Sequence, residues 1–269
     1  MADQVAEVAA MFDRLAGTYD QTGVPYYAVI AGGLVDRLRV QPGERVLDIG
    51  AGRGAATLPL AEAVGDGGRV DAIDLAPGMV EHLARDTADL PQVHVELGDA
   101  TDPHPPGAPY DAVSASLVVF FLPDPVAALA RWRALLRDGG RLGLATFQPW
   151  SGAWQELDAL TQEFTVQQST IARQPGAFDT DAGVEGLLTD AGYGEARTEL
   201  ATYRVPFADV EEWVRWSRAG TVMGGIWNRT DPADHPEILR RATGILEGTR
   251  DADGRLGLEV GARYTFGVR

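Results

Sequence analysis

The chain has 269 residues, 45% of them hydrophobic, and a formal net charge of −16, enough apolar material for one large domain or a core domain with a cap. It contains no cysteine and no lysine, its 23 basic residues all being arginine. That excludes disulfides, thiolate metal sites, thiol nucleophiles, Schiff-base chemistry and a Walker-type phosphate lysine. The acidic balance disfavours nucleic acid as a partner, no apolar run approaches the roughly 20 residues of a membrane span, and the acidic stretch Met1 to Ala9 is unlike a signal peptide. A cytoplasmic protein, monomer or homodimer, is expected.

In chain order, residues 3 to 40 read as largely helical, with Val5, Val8, Met11, Phe12 and Leu15 on one side. From residue 44 strands and helices alternate. Strands are expected at Arg45–Ile49, Arg69–Asp74, Val93–Gly98, Ala112–Ser116 and Arg141–Phe147, and helices at Ala55–Val64, Pro77–Ala84 and Pro125–Arg137. Alternating βα units of this length predict a Rossmann-like, doubly wound and mostly parallel sheet with helices on both faces, its ligand beyond the carboxyl ends of the strands. Beyond Phe147 the spacing of Trp150, Trp154, Leu157, Leu160 and Phe164 predicts a helix, followed by a helix at Thr180–Ala191, a strand at Glu199–Val205 and a helix at Asp209–Arg218. The chain closes in Leu256–Val268, one long strand or a strand pair. Residues 1–40 thus form a helical leader, 41–147 a cofactor-binding core, and 148–269 the remaining strands with helical cap insertions at about 148–178 and 207–250.

The most informative stretch is Val46-Leu47-Asp48-Ile49-Gly50-Ala51-Gly52-Arg53-Gly54, a buried strand running into a glycine turn ahead of a helix. That arrangement presents backbone N–H groups and a helix N-terminus to a nucleotide-like ligand. Asp74 closes the second strand 20 residues after Gly54, where a carboxylate can accept from ribose hydroxyls, and Asp99 in Gly98-Asp99-Ala100 closes the third, facing an adenine amino group or capping a turn. A dinucleotide fingerprint is also satisfied by Gly50-x-Gly52-x-x-Ala55 with Asp74, which keeps an NAD(P)-dependent oxidoreductase in view. Against it, Asp48 beside the turn suits a cationic amino-acid moiety better than a pyrophosphate, and a hydride relay of the Tyr/Lys kind has no lysine to draw on.

Read together, these segments resemble class I S-adenosylmethionine-dependent methyltransferases, most nearly the ubiquinone/menaquinone-biosynthesis-type and related small-molecule enzymes. Val46–Gly54 is similar to their glycine motif, Ile73-Asp74-Leu75-Ala76-Pro77-Gly78-Met79 to their second motif and Gly98-Asp99-Ala100 to their third. Tyr110–Ser116 with Leu122-Pro123-Asp124-Pro125, and Arg137-Asp138-Gly139-Gly140-Arg141-Leu142, match the segments around the fourth and fifth strands. Upstream, Phe12–Asp20 resembles the leader of the quinone-type enzymes. The resemblance spans residues 11 to 147 and implies a seven-stranded sheet ending in an antiparallel strand at Arg263–Val268.

It further implies S-adenosyl-L-methionine as cofactor and S-adenosyl-L-homocysteine as product. Gly50, Gly52 and Gly54 would wrap the methionine part, and Asp48 would support its amino group through water. Asp74 would hold the ribose, Leu75 and Met79 would pack on the adenine, and Asp99 with Ala100 would bind its edge. Ser116 and Leu117 would line the methionine side, and Tyr19 would close over the cofactor. Where related enzymes often carry a histidine ahead of Leu-Pro-Asp-Pro, this chain has Phe120 and Phe121, so no general base transfers by analogy.

Methyl transfer relies largely on positioning in a dry pocket, and an already ionised acceptor needs no base. Of the four histidines, His82, His94, His104 and His235, only His235 is retained as a candidate base; they share no metal-ligand spacing, and no metal is expected. Five of the six tryptophans lie at or beyond residue 150, with Met223 and Trp227 flanking Gly224-Gly225. Tyr19, Phe120, Trp150, Trp154, Trp213 and Trp216 are the candidate acceptor contacts, although for any single tryptophan the cap's own core is the favoured place and at least one or two of the set are expected to line a pocket. The expected function is methylation of a small, largely apolar or aromatic metabolite, on oxygen first and carbon second, in natural-product biosynthesis. The alternatives are a non-methylating reaction such as cyclisation on the same cofactor, the oxidoreductase, and a regulatory binding protein.

Overall fold

The computed structural model describes residues 2–165, 176–219 and 227–269. Seven strands form one sheet: β1 (Arg45–Ile49), β2 (Arg69–Asp74), β3 (Val93–Leu97), β4 (Tyr110–Ser116), β5 (Leu136–Phe147), β6 (Gly194–Phe207) and β7 (Leu256–Val268). Their order is β3-β2-β1-β4-β5-β7-β6. The first five pair in parallel, while β7 runs antiparallel to both β5 and β6. The order reverses between β1 and β4, which opens a crevice at their carboxyl ends.

Strand β1 is buried on both faces, which is why its sequence is a continuous apolar run rather than an alternation. Val46 joins the core under α2 (Tyr26–Leu38) and α3 (Thr57–Val64), and Leu47 and Ile49 join the opposite core under α5 (Pro125–Leu135) and α7 (Asp181–Asp190). The α2 face continues under α6 (Ala153–Phe164), α8 (Val210–Ala219) and α9 (His235–Glu247). Capping sets two helix starts: Asp124 accepts from Ala127 N–H at 3.0 Å with Pro125 in the first turn, and Thr180 accepts from Gly183 N–H at 3.1 Å. Arg263 of β7 is buried and reaches Asp181 of α7 at 2.6 Å, tying the antiparallel end of the sheet to its covering helix.

Several boundaries differ from the sequence expectations. The turn after β1 runs on to Ala56 before α3 begins, because the glycine-rich segment first forms hydrogen-bonded turns. Strand β6 is longer than Glu199–Val205 because it pairs along the whole of β7, which is one long strand. Helix α9 was missed: the loop residues of Thr230–Pro236 lead straight into it, with Pro236 in its first turn. The leader is two helices, α1 (Ala2–Leu15) and α2, with α1 packed on α4 (Pro77–Asp86). Met223, Gly224 and Gly225 lie outside the described residues. No described helix is long and apolar enough to cross a membrane.

Candidate active site

At the β1/β4 switch point lies an open cleft of about 1050 Å³, its mouth included. Its floor is the glycine turn, one side is the ends of β2 and β3, and its roof is α1 with the segment that follows. Gly52, at φ +55°, tolerates a backbone that few L side chains adopt, and a Cβ there would project into the cleft, meeting only Tyr19 Cε1 at 4.0 Å. The space above the turn is therefore kept for a ligand rather than filled by packing. Gly54 is glycine for another reason: at φ +90°, its Cβ would strike Leu83 Cδ1 of α4 at 2.6 Å.

Three carboxylates at the strand ends meet the cleft with their donors already in place. Asp74 Oδ2 accepts from Gly52 N–H at 2.8 Å and Oδ1 from Ala76 N–H at 2.9 Å. Burial raises the Asp74 pKa, and these backbone donors pull against it. Asp99 Oδ1 accepts from Thr101 N–H at 2.7 Å, the turn-capping alternative in geometric form, while still lining the cleft. Asp48 is buried and accepts from the Thr57 hydroxyl at 2.7 Å, which fastens β1 to the first residue of α3. Burial pushes Asp48 up to about 7, against the lowering effects of Thr57 and Ser114, although the Ser114 hydroxyl makes no hydrogen bond of good geometry.

The roof is aromatic and apolar. Tyr19 stacks on Tyr27 with centroids 4.6 Å apart and meets Phe12 edge-on at 5.8 Å, and Phe12 in turn meets Phe121 at 5.5 Å. Burial first, then the Tyr27 hydroxyl, holds Tyr19 well above the usual phenol range, so it is neutral. The leader is pinned from below by two polar contacts. Arg53 Nη1 donates to the Ala16 carbonyl at 2.9 Å while Nη2 pairs with Asp86 at 2.7 Å, and Gly78 N–H donates to Asp13 Oδ1 at 2.7 Å.

The cleft gathers Tyr19, Asp48, Gly50, Gly52, Asp74, Leu75, Asp99, Ala100, Ser116 and Leu117 from among the residues named by sequence. Gly54 and Met79 do not line it. Met79 is fully buried against Ala16 and Ala76, which makes it helix packing. Phe120 turns into the core with Phe147 and Phe178, and its neighbour Phe121 faces the cleft instead.

The tryptophans correct the expected acceptor site. Trp154, Trp213 and Trp216 are 3%, 2% and 3% exposed and belong to the core under α6, α8 and α9, because those helices bury their wide apolar faces against one another and the sheet. Trp150 and Trp154 line a separate small recess with Tyr26 and Gly261, and none of the four reaches the main cleft. His235, the candidate base, opens α9, bonds the Thr230 hydroxyl at 3.1 Å and packs edge-on against Trp227, away from the cleft. None of the other three histidines lines the cleft either. Among the described residues no group of His, Asp and Glu is arranged to hold a metal ion.

Sequence reasoning missed Asp20, Arg53 and the α1 face of Val5, Val8 and Ala9 as cleft residues. The signal for the last was present in the helical spacing of the leader, but nothing in it told which surface that face would cover.

The cleft fits an adenosyl amino-acid cofactor on its own evidence: an open space above a positive-φ glycine, and carboxylates at the ends of two neighbouring strands. Comparison with known proteins agrees. Residues 46–140 match the methyltransferase domain family. The chain is 36% identical over 260 residues to nocamycin O-methyltransferase of Saccharothrix syringae, covering 90% of this chain and 89% of that protein. It is 34% identical over 211 residues to demethylmenaquinone methyltransferase of Beutenbergia cavernae, covering 70% of this chain and 82% of that one. In fold it is similar to the YcgJ protein of Bacillus subtilis, with a TM-score of 0.58 at 16% identity over 90% of this chain and 98% of that one. S-adenosylmethionine rather than a nicotinamide dinucleotide is therefore the cofactor, and the chain belongs to the class I S-adenosylmethionine-dependent methyltransferases.

Proposed function

We propose that this methyltransferase acts on a small, largely apolar or aromatic metabolite in natural-product biosynthesis, with oxygen as the acceptor atom ahead of carbon. One observation carries the reading. Val5, Val8, Ala9 and Phe12 of α1 line the cleft together with Phe121 and Leu122, and this wall holds no charged or hydrogen-bonding side chain. Arg53, the cation lining the cleft, has Nη1 on the Ala16 carbonyl and Nη2 on Asp86. A polar acceptor would lose its water here without replacement, which costs roughly 1–3 kcal/mol for each group left unbonded.

The bound cofactor supplies an electrophilic methyl carbon on a sulfonium. The chain supplies position and dryness. The turn at Gly50–Gly52 and the carboxylates Asp74 and Asp99 hold the nucleoside and amino-acid parts. Tyr19 and α1 close over them, and the apolar wall excludes water from the acceptor. No histidine lines the cleft, which favours an acceptor that ionises readily, such as an acid or an acidic enol or phenol. The similarity to an O-methyltransferase over nearly the whole chain supports oxygen.

The test is turnover with cofactor carrying a labelled methyl, against a panel of aromatic acids, enols and phenols and a matched panel of polar amines. Products are read by mass spectrometry and the methyl located by NMR. Methyl on oxygen of the apolar panel is expected; turnover confined to the polar amines overturns the reading.

A further inference from the structure

Four carboxylates line the cleft, Asp20, Asp48, Asp74 and Asp99. Three have hydrogen-bond donors within the fold: Thr57 for Asp48, Gly52 and Ala76 for Asp74, and Thr101 for Asp99. The Asp20 carboxyl accepts no hydrogen bond among the described residues. It is nevertheless half-buried, and its backbone sits at φ +55°, a left-handed conformation that aspartate adopts more readily than most non-glycine residues.

Its place in the cleft is defined by its neighbours. The ring of Tyr19, the preceding residue, lies 4.0 Å from where a Cβ on Gly52 would stand, so the segment Tyr19–Asp20 roofs the glycine turn. The cation acting on Asp20 is Arg53 of that same turn, with its guanidinium given to Ala16 and Asp86 instead. Asp20 is thus a negative charge held over the turn with no donor of its own among the described residues.

The cofactor's amino-acid end carries an α-ammonium, a cation with three N–H donors. We propose that Asp20 binds this α-ammonium and is the counter-charge for the amino-acid end of the cofactor. The inference rests on the assignment of S-adenosylmethionine to the cleft. Asp48, the residue that sequence alone suggested, is a poorer partner: it is 1% exposed and one of its oxygens is already occupied by Thr57. The electrostatics agree in direction: burial raises Asp20 to about 6, with Arg53 opposing, and raises the fully buried Asp48 further, to about 7. The groups facing Asp20 are Arg53 from the turn and Tyr19 from its own segment, with Asp74 beyond Tyr19.

The experiment is calorimetric binding of S-adenosylmethionine, S-adenosylhomocysteine and 5′-methylthioadenosine to the wild-type protein, Asp20→Asn and Asp74→Asn. The third ligand keeps the adenosine and lacks the ammonium. Asp20→Asn should weaken the first two by the same factor, about tenfold for a lost charge-assisted bond, and leave 5′-methylthioadenosine unchanged. Asp74→Asn should weaken all three. Unchanged affinity of Asp20→Asn for all three ligands overturns the proposal. So does a loss for S-adenosylmethionine alone, which would place Asp20 at the sulfonium, and so does an equal loss for 5′-methylthioadenosine, which would mean a collapsed cleft. Wild-type protein that binds none of the three would overturn the cofactor assignment itself. Asparagine tolerates the left-handed backbone, and removing an unpartnered charge should leave the ligand-free melting temperature at or above wild type at pH 7. A lower melting temperature would show that the carboxylate has a partner in the fold and would overturn the premise.

Discussion

The backbone N–H of Gly52 donates to Asp74 Oδ2 at 2.8 Å, so the glycine turn and the end of β2 hold each other in position. The carboxylate assigned to the ribose is therefore also part of the frame of the turn. Its second oxygen is oriented by Ala76 N–H at 2.9 Å, which fixes the carboxyl plane at the mouth of the cleft.

From this pairing, Asp74→Ala should weaken S-adenosylmethionine by an order of magnitude or more. It should also loosen the turn, because Gly52 N–H loses its acceptor, at a cost of about 1–3 kcal/mol where that group stays buried. Calorimetric titration checks the first effect and urea unfolding the second; unchanged cofactor affinity would remove the ribose assignment.

Arg53 connects the turn to the leader through the Ala16 carbonyl and to α4 through Asp86. Arg53→Gln should free the leader, speeding trypsin cleavage at the exposed Arg14 and raising the cofactor dissociation rate several-fold. Equal cleavage rates in variant and wild type would show that the Asp13–Gly78 bond and the aromatic contacts of Phe12 and Tyr19 hold the leader without Arg53.

Phe12 touches Tyr19 and Phe121 at the apolar end of the cleft. Phe12→Ala should raise the acceptor KM while changing cofactor affinity little. A matching loss of cofactor affinity, measured without acceptor, would make Phe12 part of the cofactor roof rather than of the acceptor wall.

Trp213 is buried in the core under α8, and its indole N–H has no hydrogen-bond partner among the described residues. Trp213→Ala should cost about 3–5 kcal/mol of stability, a large part of an ordinary domain's margin. Trp213→Phe should cost less, since no indole hydrogen bond is lost, and should leave the acceptor KM at the wild-type value. A KM shift in Trp213→Phe would return this residue to the acceptor site.

Asp48 gives a pH signature. Its carboxyl is raised in the folded state to about 7, so its contribution to stability is complete below the ordinary carboxylate pKa and is lost as pH rises through 7. Between pH 5 and 8 the wild-type melting temperature should fall more steeply than that of Asp48→Asn. Asp20, raised to about 6, bends the curve in the same direction in both proteins, so the difference between them isolates Asp48. Parallel curves would place the folded-state Asp48 pKa below this window.

The sheet was legible because its signals are local. Arg45–Ile49 and Arg69–Asp74 agree in both readings because each is a short apolar run closed by a turn, and a strand buried on both faces needs little else to be recognised. Helix α9 was obscured by Pro232 and Pro236, which read as loop residues although a proline in a first helical turn costs nothing. The tryptophans were misplaced for a different reason. Helical spacing shows that Trp213 and Trp216 share a face, but the same face would serve an acceptor pocket or a core.

By itself, the sequence determined the βα alternation, the glycine turn and the acidic residues at the ends of β2 and β3, since each depends on backbone conformation and strand length along a short stretch of chain. Only the tertiary structure decided what covers the cleft. It set α1 and the Tyr19–Asp20 segment over the turn, sent Trp154, Trp213 and Trp216 to the core and left Asp20 without a donor among the described residues. Those outcomes depend on which apolar faces meet and which polar groups lose their water together, and both are settled between segments far apart in the chain.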